Sequence, residues 1–516
     1  MKINLRGVVV VLILLLGTLF VVSAWVGDDT YITMRVVDNF IHGYGLRWNV
    51  DERVQVFTHP FWMLILLVGY VVTRHAFLTI IFASIGTALF SVAVFLLKVP
   101  RTISTAIAGT ILLALSKSFV DFSVSGLENP LAHLLLLLFL LIIFQRVDFS
   151  DRDIFLLSLL AGLATFNRMD MLLLFLPVLV YVFWTHRSFR TFSLVAAGFS
   201  PFLLWELFSL VYYGFFLPNT YYAKLNTGVA ELALVNQGLL YFLNSLKWDT
   251  ITLTVIGLSL VFSFAQGKAR EEFIASGIVL YLAYILYIGG DFMSGRFFSA
   301  PYFASVFLLV RVLDDHKVGY TWIAAGAFLV MGLMVPLPTV VLPSETDRQQ
   351  AIHDFETFGI ADIKARAFQT SSLMAWRPGV EIFPNEKMVQ RGTRYRQEGK
   401  KVAIEGTVGM VGFFGGPQLH IIDGYALGDS LLARLPVENA ETWRPAHFSR
   451  RIPEGYIKTL ETGQNQLTDP ELALYYDKLH LVISGDLWTQ ERWQAIWGLN
   501  TGQYDYLLEN YISSSN

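Results

Sequence analysis

Two adjacent carboxylates, Asp28 and Asp29, stand where the first apolar run of this chain stops, in the stretch 27–60, GDDTYITMRVVDNFIHGYGLRWNVDERVQVFTHP. An aspartate at the mouth of a membrane helix loses hydration, and a second beside it adds like-charge repulsion. The pair therefore implies a raised pKa, a bound cation, or a task such as taking a proton from a hydroxyl. The plainer alternative is that both cap the next helix, expected over 30–42, where carboxylates suit the positive helix end. On that helix Ile32, Met34, Val36, Val37, Phe40 and Ile41 share one side, and Tyr31, Arg35, Asp38, Asn39 and His42 the other. This is the pattern of a helix lying on a membrane surface. Whether a divalent cation joins Asp28 to Asp29 stays open.

Four further polar clusters interrupt apolar sequence: SGLENP (125–130), NRMD (167–170), LPNTYYAKL (217–225) and GGDFMSGRFF (289–298). Each has a bland reading. Glu128 precedes a proline that starts a span and suits the helix dipole. Arg168 and Asp170 neutralise one another at a bend. Asn219 belongs to a turn, Tyr221 to the aromatic belt, and Lys224 snorkels. Asp291 and Arg296 follow paired glycines that let backbone approach a ligand. Together, carboxylates, cations and aromatics at one surface suit an amphiphilic substrate carrying a phosphate. Lys224, Arg168 and Arg296 would hold that phosphate while an aspartate takes a proton from a sugar hydroxyl. No Walker loop, GxGxxG or HExxH is present, so no nucleotide cofactor is expected.

The elements that position these residues follow from composition. The 516 residues are 54% hydrophobic and only 15% charged, with mean hydropathy +0.52, which implies a mainly α, polytopic membrane helix bundle. A net charge of −3 gives no footprint for nucleic acid, and the absence of cysteine excludes disulfides and thiol catalysis. Apolar runs at 1–26, 77–97, 102–120, 130–144, 154–166, 171–184, 192–212, 250–265, 273–289, 298–313 and 320–336 predict about eleven spans, the first an uncleaved anchor. If the run 61–72 does not cross, the loop pairs Lys98/Arg101, Arg146/Arg152, Arg187/Arg190, Lys268/Arg270 and Arg311/Lys317 share the side of Lys2 and Arg6. All five polar clusters then lie outside. Residues 1–341 are thus expected to form a membrane domain with a first external loop at 27–76. Residues 342–516 form a soluble extracytoplasmic α/β domain with strands in 401–416, 420–429 and 478–486 and helices at 470–477 and 491–497. Its Trp443, His447 and Tyr456 are candidates to bind a glycan acceptor, with Trp488 a further aromatic.

The motifs DDTYITMRVVDNFIHGYGLRWN, THPFW with His59, SGLENPL, NRMD, LPNTYYAKL, GGDFMSGRF, IDGYALGDSLLARLP and WRPAHFSRRIPEGY resemble those of the GT-C membrane glycosyltransferases. More narrowly, they resemble the AftB-type terminal arabinofuranosyltransferases, which use a polyprenyl-phosphate sugar donor. The resemblance implies an inverting transferase in a bacterial plasma membrane, its catalytic carboxylates at Asp28 and Asp29 and its donor site extracytoplasmic. It implies a lipid-linked sugar donor and a cell-envelope glycan acceptor as partners, besides the bilayer. Two other readings stay open. A flippase of lipid-linked sugars would show internal repeats and broken spans near the midplane. A non-catalytic glycan-assembly protein would tolerate loss of both aspartates.

Overall fold

The computed structural model describes residues 4–224, 227–378, 383, 386–440 and 443–515; Lys2 and Leu225 lie outside them. The chain is mostly helical, and each of the eleven apolar runs is a helix or a broken one. Leu5–Ser23, Ala76–Lys98 and Arg296–Asp314 are long and apolar enough to cross a membrane, and three bent pairs raise the number to six if each is one span. The run 102–120 is not one straight helix. It breaks at Ser116, whose hydroxyl caps the second piece by accepting the N–H of Phe119, and the two pieces are bent by 74°. The run 192–212 is bent by 58° where Pro201 enters the first turn of Ser200–Tyr212, since proline has no N–H to continue the helix. Glu231–Trp248, not expected from sequence, is a further helix, turned by 109° against the next.

The segment after the first apolar helix carries two helices. Pro60–Thr73 has 14 residues, a rise of roughly 21 Å, short of a bilayer core of roughly 30 Å. Asp28–Ile41 begins two residues earlier than expected, so both aspartates sit in its first turn. Its Tyr31 and Arg35, expected on a solvated face, are fully buried. The C-terminal segment covers them: Tyr31 packs edge-on against Phe383 and Phe413, and the Arg35 guanidinium donates to the carbonyl of Leu419 at 2.5 Å over the Trp48 ring.

Beyond residue 342 the chain is again mainly helical. One two-stranded parallel sheet, Val402–Glu405 beside His420–Asp423, is flanked by helices, with Gly409–Gly415 in the crossover. The expected strand at 401–416 is thus a strand only over Val402–Glu405 and a helix from Gly409, and the one at 478–486 is a helix as far as Ser484. The segment 478–486 belongs to Pro470–Ser484, where Leu472, Tyr475, Tyr476, Leu479, Val482 and Ile483 bury one face at helical spacing.

Short backbone pairings fasten this segment to the membrane domain. Val26 N–H donates to Ser371 (3.1 Å) and Leu373 N–H to Ala24 (2.9 Å). Ala361 and Phe292 are joined likewise at 2.9 Å. A buried ionic knot supports them, with Lys117 on Asp362 at 2.9 Å and Lys364 on Asp121 at 2.8 Å.

Candidate active site

One end of the bundle and the C-terminal segment line a cavity of about 1090 Å³. It brings together Asp28, Asp29, His59, Arg168, Asp170, Tyr221, Lys224, Asp291, Arg296 and His447, ten of the fourteen residues singled out from sequence. Glu128, Asn219, Trp443 and Tyr456 are not in its wall.

The two aspartates differ sharply. Asp28 accepts the N–H of Gly409 through Oδ2 at 2.8 Å and that of Met410 through Oδ1 at 2.7 Å. Its carboxylate thus clamps the helix Gly409–Gly415 onto Asp28–Ile41. The fit requires glycine, because a Cβ at Gly409 would lie 1.9 Å from the Asp28 carbonyl oxygen. Burial, with Asp29 and Glu386 beside it, pushes the Asp28 carboxyl up to about 7 against the two N–H groups. The Asp29 carboxylate makes no hydrogen bond among the described residues. Burial pushes it up to about 6, with Arg296 and Lys224 opposing and Asp291 adding to the rise. From the sequence either aspartate could cap its own helix. The hydrogen bonding falls on Asp28, and it comes instead from a segment 381 residues away.

Glu128 lies beneath the floor, fully buried. Its Oε1 accepts Arg168 at 2.9 Å and Arg296 at 3.0 Å, and Oε2 is 3.5 Å from Nδ1 of His59. Against the desolvation of burial, Arg296 and Arg168 hold its carboxyl well below the ordinary range. Arg168 also forks onto Asp170, at 2.9 and 2.5 Å, so the bland reading of NRMD describes its geometry. Arg296 reaches Asp291 at 3.5 Å. His59 is pushed down to about 4 by burial and stays neutral at pH 7, with Nε2 2.8 Å from the Thr33 hydroxyl. Lys224, last residue of the short helix Asn219–Lys224, forms no ion pair among the described residues. Burial lowers its pKa, with Asp291 opposing. Two guanidinium charges are thus already balanced by carboxylates, and the lysine charge is available.

Three sequence candidates are spent inside the protein. The Asn219 amide donates to the carbonyls of Ala426, Leu427 and Asp429 at 3.0 to 3.1 Å, tying its helix to that turn. Tyr456 is a core residue whose hydroxyl donates to Asp429 at 3.1 Å, not a sugar-facing one. Trp443 stacks on Phe448. His447 does reach the cavity, held edge-on by Phe292, Phe355 and Tyr425, with Nδ1 2.9 Å from the Pro445 carbonyl. Sequence reasoning missed Arg348, Arg366, Lys387, Arg391 and Asp423, which also line the cavity. Lys387 and Arg391 carried a signal in the basic run 387–401; the others sit in unremarkable surroundings.

A cation shared by Asp28 and Asp29 would find no third carboxylate or imidazole ligand among the described residues. Both Asp28 oxygens already accept N–H groups.

The class of protein this chain resembles is the polyprenyl-phosphate-sugar glycosyltransferases of the membrane. No family model matches it. In particular, it is similar to the terminal β-(1→2)-arabinofuranosyltransferase of Mycobacterium tuberculosis, 28% identical over 344 residues, which cover 57% of this chain and 54% of that protein. The chain thus spans about half the length of the curated relative it matches. Among solved structures, ArnT from Cupriavidus metallidurans aligns with a TM-score of 0.45 in two states. The form bound to undecaprenyl phosphate is 13% identical, covering 80% of this chain and 86% of that one. The apo form is 14% identical, covering 81% and 86%.

Proposed function

We propose that the protein is an inverting glycosyltransferase that moves a monosaccharide, arabinofuranose being the first candidate, from a polyprenyl-phosphate donor to a cell-envelope glycan. The observation that carries this reading is one wall of the cavity. An aspartate with no hydrogen-bond partner among the described residues and a carboxyl poised at about 6, Asp29, shares that wall with an unpaired lysine, Lys224. A base must be near the working pH to take a hydroxyl proton, and a departing phosphate needs a cation.

In this mechanism the acceptor oxygen attacks the anomeric carbon from the face opposite the phosphate and gives its proton to Asp29. The bond between the anomeric carbon and the phosphate oxygen breaks, its electron pair leaving on the lipid phosphate beside Lys224. Arg296, Arg168, Asp170, Asp291, His59 and Tyr221 shape the donor pocket, and His447 reaches in from the acceptor side. Asp28 acts as a positioning residue by holding the C-terminal segment in place. Residues 1–341 form the membrane domain and 342–516 an extracytoplasmic acceptor domain, with the cavity open outside the plasma membrane. The alternate basic loops support that orientation.

The test is to supply purified protein with polyprenyl-phosphate pentoses and hexoses and follow release of the lipid phosphate. Release with one donor, and loss of donor affinity in Lys224→Gln, is expected. No release from any donor in the presence of envelope glycan, or unchanged donor affinity in Lys224→Gln, overturns the proposal.

A further inference from the structure

The helix Lys387–Gln397 and the turn after it hold positive charge that the transfer chemistry does not use. The stretch 386–401 carries Lys387, Arg391, Arg394, Arg396, Lys400 and Lys401 against Glu386 and Glu398, an excess of four in a chain whose net charge is −3. All six cations are exposed. Lys387, Arg391 and Arg394 recur at helical spacing along one face. The first two line the cavity, as do Arg348 and Arg366, and the charge continues outward from there. Arg391 pairs with Glu405 at 2.7 Å and Arg394 stands 3.9 Å from Glu398. Lys387, Arg396, Lys400 and Lys401 make no ion pair among the described residues.

Like charges gathered this closely repel one another and favour an anionic ligand. On the reading that lays Asp28–Ile41 along the bilayer, a lipid surface is poorly placed to supply it. The helix Gly409–Gly415 lies between this one and Asp28–Ile41, packed so closely that a Cβ at Gly392 would meet the Val411 carbonyl at 2.5 Å. Each helix packing adds about 8–10 Å, and charge is screened over about 8 Å at physiological salt.

We propose that the acceptor is an anionic glycan, bearing phosphate or carboxylate groups, that lies along Lys387–Gln397 and enters the cavity past Lys387 and Arg391. The word acceptor rests on the transferase reading; the binding surface does not. The experiment measures binding by the purified full-length protein without donor. The probes are fluorescent oligogalacturonate, a phosphorylated mannan oligosaccharide, a neutral maltooligosaccharide of equal length, and vesicles containing phosphatidylglycerol. At low salt the charged glycans should bind at least about tenfold tighter than the neutral one, and the gap should close as salt rises. Which charged glycan binds tighter separates phosphate from carboxylate recognition. The triple variant Arg394→Gln/Arg396→Gln/Lys400→Gln, checked for an unchanged melting temperature, should lose most of the difference. Equal binding of charged and neutral glycans, an unaffected triple variant, or binding of the vesicles in place of the glycans overturns the proposal. Failure of the transferase reading appears elsewhere, as donor left unconsumed, and leaves this binding result standing.

Discussion

Replacing Asp29 by asparagine should remove turnover and leave the fold intact. The change keeps the shape of the side chain and removes its proton affinity. Because no hydrogen bond reaches that carboxylate among the described residues, little packing is lost. A general base contributes about 10² to 10⁴ in rate, so the barrier should rise by about 2.7 to 5.4 kcal/mol at 1.36 kcal/mol per tenfold. The pH profile supplies a second signature. With the Asp29 carboxyl at about 6, roughly a tenth is ionised at pH 5 and nine tenths at pH 7, so turnover should climb about ninefold between them. The residual activity of Asp29→Asn should be flat over that range. Asp28→Asn should behave differently, since it keeps one acceptor for the two N–H groups of Gly409 and Met410 and turns an amide toward the other. An unsatisfied buried N–H costs about 1–3 kcal/mol, which appears as a lower melting temperature with the pH profile retained. The assay is transfer from a labelled polyprenyl-phosphate sugar at pH 5 to 8, with thermal melts of each variant. Turnover of Asp29→Asn within tenfold of the parent, or a flat profile in Asp28→Asn alone, would refute the assignment.

Three more outcomes follow from the geometry. Gly409→Ala drives a methyl group into the Asp28 carbonyl at 1.9 Å and should loosen the C-terminal segment, read as faster proteolysis at its junctions and a lower melting temperature; an unchanged melt contradicts the close approach. Glu128→Gln removes the carboxylate shared by Arg168 and Arg296, and breaking such a buried pair costs about 3–5 kcal/mol, measurable by chemical or thermal denaturation. Folding raises the carboxyls of Asp28 and Asp423 to about 7 and of Glu52 to about 8, chiefly by burial. The folded state therefore holds protons that the unfolded chain has released above the ordinary carboxylate range, so stability falls as pH rises toward 8 and levels off beyond. Melting temperatures at pH 6 and 8.5 check the sign, and Glu52→Gln should flatten the slope.

The bundle was legible because apolar runs report burial in lipid or protein without reference to partners; every expected span is helical. Breaks at Ser116 and Pro201 are local effects that a hydropathy run averages away. Strand and helix were confused in 478–486 because a short apolar run satisfies both periods, and only the longer spacing from Leu472 to Ile483 separates them. In the candidate site, charges beside spans were legible since an unpaired charge there is costly. Their division of labour was not. That Asp28 is clamped depends on Gly409 and Met410, and that Tyr456 is core depends on Asp429; neither contact leaves a trace in spacing. The buried side of Asp28–Ile41 was misread for the same reason, since amphipathicity cannot say whether water or a second domain covers the polar stripe.

The clamp also sets an order of events during synthesis. The partners of Asp28, Gly409 and Met410, leave the ribosome 381 and 382 residues after it. At about 5–20 residues per second, that is an interval of roughly 20 to 80 s. Through that interval the Asp28 carboxylate lacks the two N–H groups that later bind it, and the cavity lacks the lining that residues beyond 342 supply. The hydrogen bonds that fix Asp28 and that lining of the cavity are therefore complete only once the C-terminal segment has been made, so a chain truncated before Gly409 would lack the hydrogen bonds and part of the lining.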